Sequence, residues 1–446
     1  MPGIWETDAE WRRLRRELAT WRDHRRQRDA DGQHRSQLEG CAAVIDAALQ
    51  ELHGPIAAMT DADPRAAAHC RVHDRRLAWL RRTWDFFRDR FDQRDDDELA
   101  PLLRAADEIA WSCHREAFGA PLASPSATVD PPPLPYVEPQ LTPEVFPRGL
   151  VPGALRRDVD AVFLRTALES LPFAVVRVPA SCVTAPWWLV HLGHEVGHVV
   201  DDQILGHGAR TTIVEELGLG DPANEEWTRW SGELFADLYA VLMFGPWALW
   251  ALATAEARDA DAMRAPRDAY PPPVVRLLVM ARACDALGHG AGPVDDAVPA
   301  WRALVDGDPQ QAARVRDGGR LVDALLSSPA GARAWQARTA HEPARWTPAS
   351  LQTWVTRMPT RPAAACRAPR RRWAREVMAA GVLRRRAADG TQPGAFDGAA
   401  LASDLLAWLP AVREAGARST TAEPTVRTAA RGAALAQTLM AAEPLA

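Results

Sequence analysis

His194 and His198 stand four residues apart with Glu195 directly after the first, in the run His194-Glu195-Val196-Gly197-His198. On a helix that spacing leaves the two imidazoles only about 40° apart around the axis, so both can reach one ion. Glu195 falls about 100° further round, beside a metal rather than on it. A general base must stand there to take a proton from water. The flanking runs Trp187-Trp188-Leu189-Val190 and Val199-Val200 are apolar enough to bury such a helix, and Gly197 leaves room for a neighbouring element. The competing reading has two histidines satisfied in a core and Glu195 at the surface.

Two histidines do not complete a catalytic zinc site, which takes three protein ligands and keeps a fourth position open. Asp201 and Ile204 stand where the metzincin pattern needs Gly and His, so that class is excluded. The downstream candidates are Asp201 or Asp202, Glu215 or Glu216, Glu225 or Glu226, and Glu233. The aspartates lie one turn past His198 on the same helix and cannot readily wrap round to complete a tetrahedron; Glu215 and Glu216 stay as a fallback. Glu233 is favoured because Glu233-Leu-Phe-Ala-Asp237 sets a second carboxylate one turn on, able to accept the other ring N–H of a ligand histidine. His191, one turn before His194, suits a structural or outer-sphere place better than a fourth ligand.

The elements that must hold these residues read as mainly helical. Trp11, Leu14, Leu18 and Trp21, and again Leu77, Leu80, Trp84, Phe87 and Phe91, recur at helical spacing and predict a bundle over 1–120. Ten prolines between 121 and 152 exclude helix there and predict a linker or a surface strap. The core carrying the motif is expected over 153–294. It comprises a helix near Ala154–Leu171, one strand over Pro172–Pro179 whose bounding prolines suit a sheet edge, and a helix over about Pro186–Leu205. A Gly-rich loop, a helix over about Asn224–Phe244, and one from Pro273 to about Leu287 complete it. The remainder, 295–446, reads as a C-terminal helical region.

Resemblance enters at this point. His-Glu-x-x-His on one helix followed by Glu-x-x-x-Asp on another resembles the gluzincin pattern of thermolysin-like and related zinc metallopeptidases, over about 100 of 446 residues. The resemblance implies a zincin-like core holding Zn²⁺, with His194, His198 and Glu233 as ligands, Glu195 as base and Asp237 orienting His194. It also implies a protein or peptide substrate. In related families a His-Pro-Pro segment precedes an Arg on a helix; here the run is Tyr270-Pro-Pro-Pro-Val-Val-Arg276. Tyr270 replaces the histidine but can still donate to an oxyanion, and Arg276 could pair with a carboxylate near the site.

Composition narrows the remaining classes. All 53 basic residues are arginine, against 58 acidic ones and a net charge of −5, which argues against a general polyanion binder. Eight arginines between 367 and 386 form the one strongly basic patch, read first as a solvated helix or one pairing with N-terminal carboxylates. Six dispersed cysteines and a charged, tryptophan-bearing N-terminus without an apolar stretch predict reduced thiols and a cytoplasmic location. The uncharged run Leu238–Ala255 has 18 residues, at the lower edge of a membrane span, but Gly245-Pro246 interrupts it. A buried helix pair is expected instead, and no membrane. The second functional class is a catalytically silent or partner-activated scaffold whose helical flanks bind a regulatory protein. A third is nucleic-acid contact through 367–386, with steep salt dependence.

Overall fold

The structure, a computed structural model, describes residues 3–29, 32–60, 62, 64–118, 131–139, 144–146, 173–219, 226–267, 270–290, 292–327, 342–360, 373–389, 395–413 and 425–441. Four helices open the chain, α1 (Ile4–Arg28), α2 (Arg35–Ala57), α3 (Ala66–Asp92) and α4 (Leu99–Phe118). Strands β1 (Leu134–Glu138), β2 (Glu144–Phe146) and β3 (Val175–Pro179) follow. A 3-10 turn at Pro186–His191 then runs directly into α5 (Leu192–Ile204), α6 (Gly206–Glu216), α7 (Glu226–Phe244), α8 (Pro246–Glu256), α9 (Ala260–Arg264) and α10 (Pro273–Ala286). The C-terminal part adds α11 (Val298–Val305), α12 (Pro309–Ser327), α13 (Pro348–Arg357), α14 (Trp373–Arg386), α15 (Gly398–Ala411) and α16 (Thr425–Ala441). The chain is thus mainly helical with one small sheet. The helix expected near Ala154–Leu171 lies outside the described residues.

Two hydrophobic cores organise these elements, and the sheet stands between them. Trp11, Leu14, Leu18 and Trp21 of α1 pack with Leu77, Leu80, Trp84, Phe87 and Phe91 of α3, as their spacing requires. The same core takes in Leu435, Ala436 and Leu439 of α16, so the far end of the chain closes on α2. The second core runs from α4 through α15 and includes the apolar faces of α5 and α7. Alternation along the strands serves both: Leu134, Tyr136 and Val175 enter the first core, Val137, Val176 and Val178 the second.

Four expectations change. The sheet order is β1-β3-β2, with β3 parallel to β1 and antiparallel to β2, so the strand read as a possible edge is the centre. The proline-rich span is also more than a linker, because it supplies β1 and β2; proline's lost N–H matters little in an outer strand. Lastly, the Gly-rich loop after α5 is the helix α6, whose Ile213 and Val214 are buried. The helix α4, read as part of the N-terminal bundle, places Leu102, Leu103, Ile109 and Cys113 in the second core instead.

The uncharged run is split as its Gly-Pro pair predicts. Gly245 takes φ +60° between α7 and α8, and a Cβ there would lie 2.7 Å from the Trp346 side chain, so only glycine fits. Among the described residues no helix is long and apolar enough to cross a membrane. Cys41, Cys70, Cys113, Cys182 and Cys284 are all buried free thiols.

Four of the eight arginines of the basic patch are engaged within the chain. Arg375 is buried, pairs with Glu116 of α4 and donates to Ser112 Oγ at 3.0 Å. Arg384 bonds Asp404 at 2.6 Å, Arg385 bonds Asp389 at 2.6 Å, and Arg386 donates to the Pro293 carbonyl at 2.9 Å. The other four, Arg367 and Arg370 to Arg372, lie outside the described residues.

Two buried histidines make the fold acid-sensitive. Burial, helped by the charge of Arg76, pushes His73 down to about 4; burial pushes His114 down to about 3 against a hydrogen bond with Gln203 of α5. In the unfolded chain each titrates near its ordinary value of about 6.5. Below that pH the unfolded state binds more protons, so stability falls as pH drops from about 6.5 until the folded pKa values are reached. At pH 5 the cost is on the order of 2 kcal/mol per histidine. Urea unfolding at pH 7.5 and pH 5 should show the loss, and the double variant His73→Gln, His114→Gln should lose less stability between the two. An equal loss in both proteins would discard the assignment.

Candidate metal centre

The candidate metal centre is assembled where α5 crosses α7. Val196, Val199 and Val200 bury one face of α5 in the second core. Gly193 and Gly197 line the face towards α7. A Cβ on Gly197 would lie 2.8 Å from Ala236 Cα and one on Gly193 2.7 Å from the Phe244 ring, so both glycines are what lets the helix backbones approach. That approach presents Glu233 and Asp237, one turn apart on α7, to His194 and His198 on α5.

The distances define a small, convergent donor set. His194 Nε2 lies 3.1 Å from His198 Nε2 and 3.3 Å from Glu233 Oε2, while His198 Nε2 lies 3.5 Å from Glu233 Oε1. Ligand atoms of the three residues all fall within 4.8 Å of one another, and these residues form the one potential metal-holding group among those described. His194 Nδ1 lies 2.8 Å from Asp237 Oδ1, so the carboxylate fixes the N–H there and leaves Nε2 with its lone pair facing the cluster. Glu233 Oε2 is buried and accepts no hydrogen bond of good geometry. Two imidazole nitrogens and a buried carboxylate oxygen aimed at one point are an arrangement a cation satisfies, and the donor types suit zinc.

A second layer holds the first. Arg276 on α10 grips Asp237 with both ends of its fork, Nε to Oδ2 at 2.6 Å and Nη2 to Oδ1 at 2.8 Å. Its third nitrogen lies 3.7 Å from Glu256, at the end of α8, which also pairs with Arg267. Charges therefore alternate through Glu256, Arg276, Asp237 and His194. Burial raises the Asp237 carboxyl, but Arg276 outweighs it and holds the group below its usual range. Burial likewise opposes charge on His194, yet the Asp237 and Glu233 carboxylates carry it up to about 10, so that a cation at the cluster takes the place of a proton on Nε2. The carboxylates thus make the site strongly attractive to positive charge. No known protein family, curated protein or solved structure matches the chain. Geometry alone must speak for the site.

Of the other ligand candidates, Asp201 is buried in an ion pair with Arg210, and Asp202, Glu215 and Glu216 are exposed away from the cluster. Glu226 accepts from Arg314 at 2.9 Å through both oxygens, and Glu225 lies outside the described residues. His191 is no part of the donor set: it stacks on Trp188 with ring centres 5.8 Å apart, and burial, then the charges of His194 and Arg276, push it down to about 4. It stays a neutral wall residue.

A cavity of about 690 Å³ opens beside the cluster, with His194, Glu195 and His191 in its lining. Glu195 is 7% exposed and faces this space rather than joining the donor set, as its offset on the helix predicts. Tyr270 stands on the rim, 37% exposed, with its ring 5.3 Å from the Arg276 guanidinium carbon. Sequence reading missed Glu256, Arg258 and Arg267 as cavity residues. Glu256 was visible only as the charge that ends the long uncharged run, a signal with no partner attached until α10 packs beside it.

Proposed function

We propose that the protein is a zinc-dependent metallopeptidase of gluzincin type, hydrolysing peptide bonds of a protein or peptide substrate in the cytoplasm. The observation that carries this reading is the His194, His198 and Glu233 cluster with Glu195 beside it on a substrate-sized cavity. Buried free thiols suit a reducing compartment.

Bound at the cluster, Zn²⁺ would polarise the scissile carbonyl and acidify water at its open position. Glu195 takes the proton from the attacking water and returns it to the leaving amine, so one carboxylate serves as base and then as acid. Asp237 keeps His194 in the tautomer whose Nε2 is free to ligate, and Arg276 keeps Asp237 ionised and in place. Tyr270, on the cavity rim, donates its phenol to the oxyanion that develops on the substrate.

Elemental analysis of the purified protein should find one zinc per chain. A chelator should remove it together with cleavage of a mixed peptide library, and zinc should restore both. A protein that takes up no metal, or that holds zinc and cleaves nothing in the library at any pH between 6 and 9, would overturn the reading and favour a scaffold.

A further inference from the structure

The cavity beside Glu195 has a mixed lining. Its apolar part comprises Trp188, Val190, Ala240, Ala248, Leu252 and Met280. Small alanines leave the volume open, and Trp188 is braced by Trp250, with the rings nearly parallel and 5.9 Å apart. The volume, about 690 Å³, is that of a site for a whole small molecule, well beyond one side chain.

Charged groups complete the lining. Glu256 is buried and met by Arg267 in a two-point contact. Arg258 lines the same cavity with its side chain 50% exposed, and its ion pair with Glu256 spans 3.8 Å. Arg276 is spoken for by Asp237. One carboxylate against Arg258 and Arg267 leaves a surplus positive charge, and Arg258 keeps most of its guanidinium donors unused.

Resting on the peptidase reading, we propose that this cavity takes the short segment following the scissile bond, an apolar residue against Trp188 and Leu252, and a carboxylate on Arg258. The carboxylate is the peptide's C-terminus, which would make the protein a trimmer of C-terminal ends, or an acidic side chain of the same segment.

Three probes separate these. Leucyl-phenylalanine, its C-terminal amide and leucyl-glutamate α-amide are titrated calorimetrically into the full-length Glu195→Gln protein, which cannot turn them over. The free acid should bind about tenfold tighter than the phenylalanine amide, the scale of one half-exposed charge-assisted contact. That preference should vanish in a background of Arg258→Ala and invert in Arg258→Glu; Arg258 is exposed enough for either change to leave the fold intact. Tight binding of the glutamate amide assigns the site to an acidic side chain, and weak binding to the C-terminus. Equal affinity for acid and amide in the unaltered Arg258 background, with the glutamate amide binding no tighter than either, overturns the proposal. The failures are distinguishable: carboxylate preference without any hydrolysis by the wild type sinks only the peptidase reading, and hydrolysis without preference for either carboxylate sinks only this one.

Discussion

Replacing Glu195 by Gln is expected to lower kcat for peptide hydrolysis by about 10³-fold or more while leaving bound zinc at one per chain. Glutamine fills the same volume in the same 7%-exposed position, so the packing of α5 should survive. What it loses is the ability to accept a proton from the attacking water and to pass it to the leaving amine. The donor atoms of the cluster belong to His194, His198 and Glu233, so metal content should not follow activity. Steady-state kinetics with elemental analysis and circular dichroism on the same preparation make the comparison. Activity within tenfold of wild type would remove Glu195 from the mechanism, and lost metal would mean that it had been a ligand.

A still larger structural effect is expected from Asp237→Ala. Asp237 is 3% exposed and binds Arg276 twice, so its removal strands a guanidinium that is itself only 5% exposed. Breaking one side of a buried ion pair costs about 3–5 kcal/mol. The same change frees the His194 ring from the acceptor that orients it, and loss of such a partner weakens metal binding by about 10–100-fold. Chemical unfolding and competition with a zinc chelator measure the two losses separately. Asp237→Asn keeps an acceptor for one N–H while surrendering the charge, so it should fall between alanine and wild type in both. A wild-type unfolding curve for Asp237→Ala would show that the Glu256, Arg276, Asp237, His194 chain carries no stability.

Much of the site could be read from local pattern because local pattern is what helix geometry converts into position. Four-residue spacing put His194 and His198 on one face, and the single-residue step put Glu195 beside it. The same rule made Glu233 and Asp237 a matched pair and placed the tryptophans and leucines of α1 and α3 in a core. Arg276 was legible as a possible partner of a nearby carboxylate, though which carboxylate was open. Where the reading failed, the missing information was a partner distant in the chain. The residues Pro172–Pro179 look like a strand at any position in a sheet, and only β1 and β2 arriving on either side make β3 the centre.

By itself, then, the sequence determined the helices that carry the motif, the faces they bury, and two histidines with Glu195 beside them. Tertiary structure decided which carboxylate joins the histidines, because choosing Glu233 over Asp201, Glu215 or Glu226 required knowing which helix lies against α5. That docking depends on the bare backbones at Gly193 and Gly197 meeting Ala236, Ala240 and Phe244, a contact that spacing cannot announce. Tertiary structure also neutralised part of the basic patch through Glu116 and Asp404, and brought Arg258 and Arg267 to the cavity beside Glu195. The physical reason is the same throughout: a helix is set by hydrogen bonds between near neighbours, whereas its packing is a sum of many weak, non-directional contacts with residues hundreds of positions away.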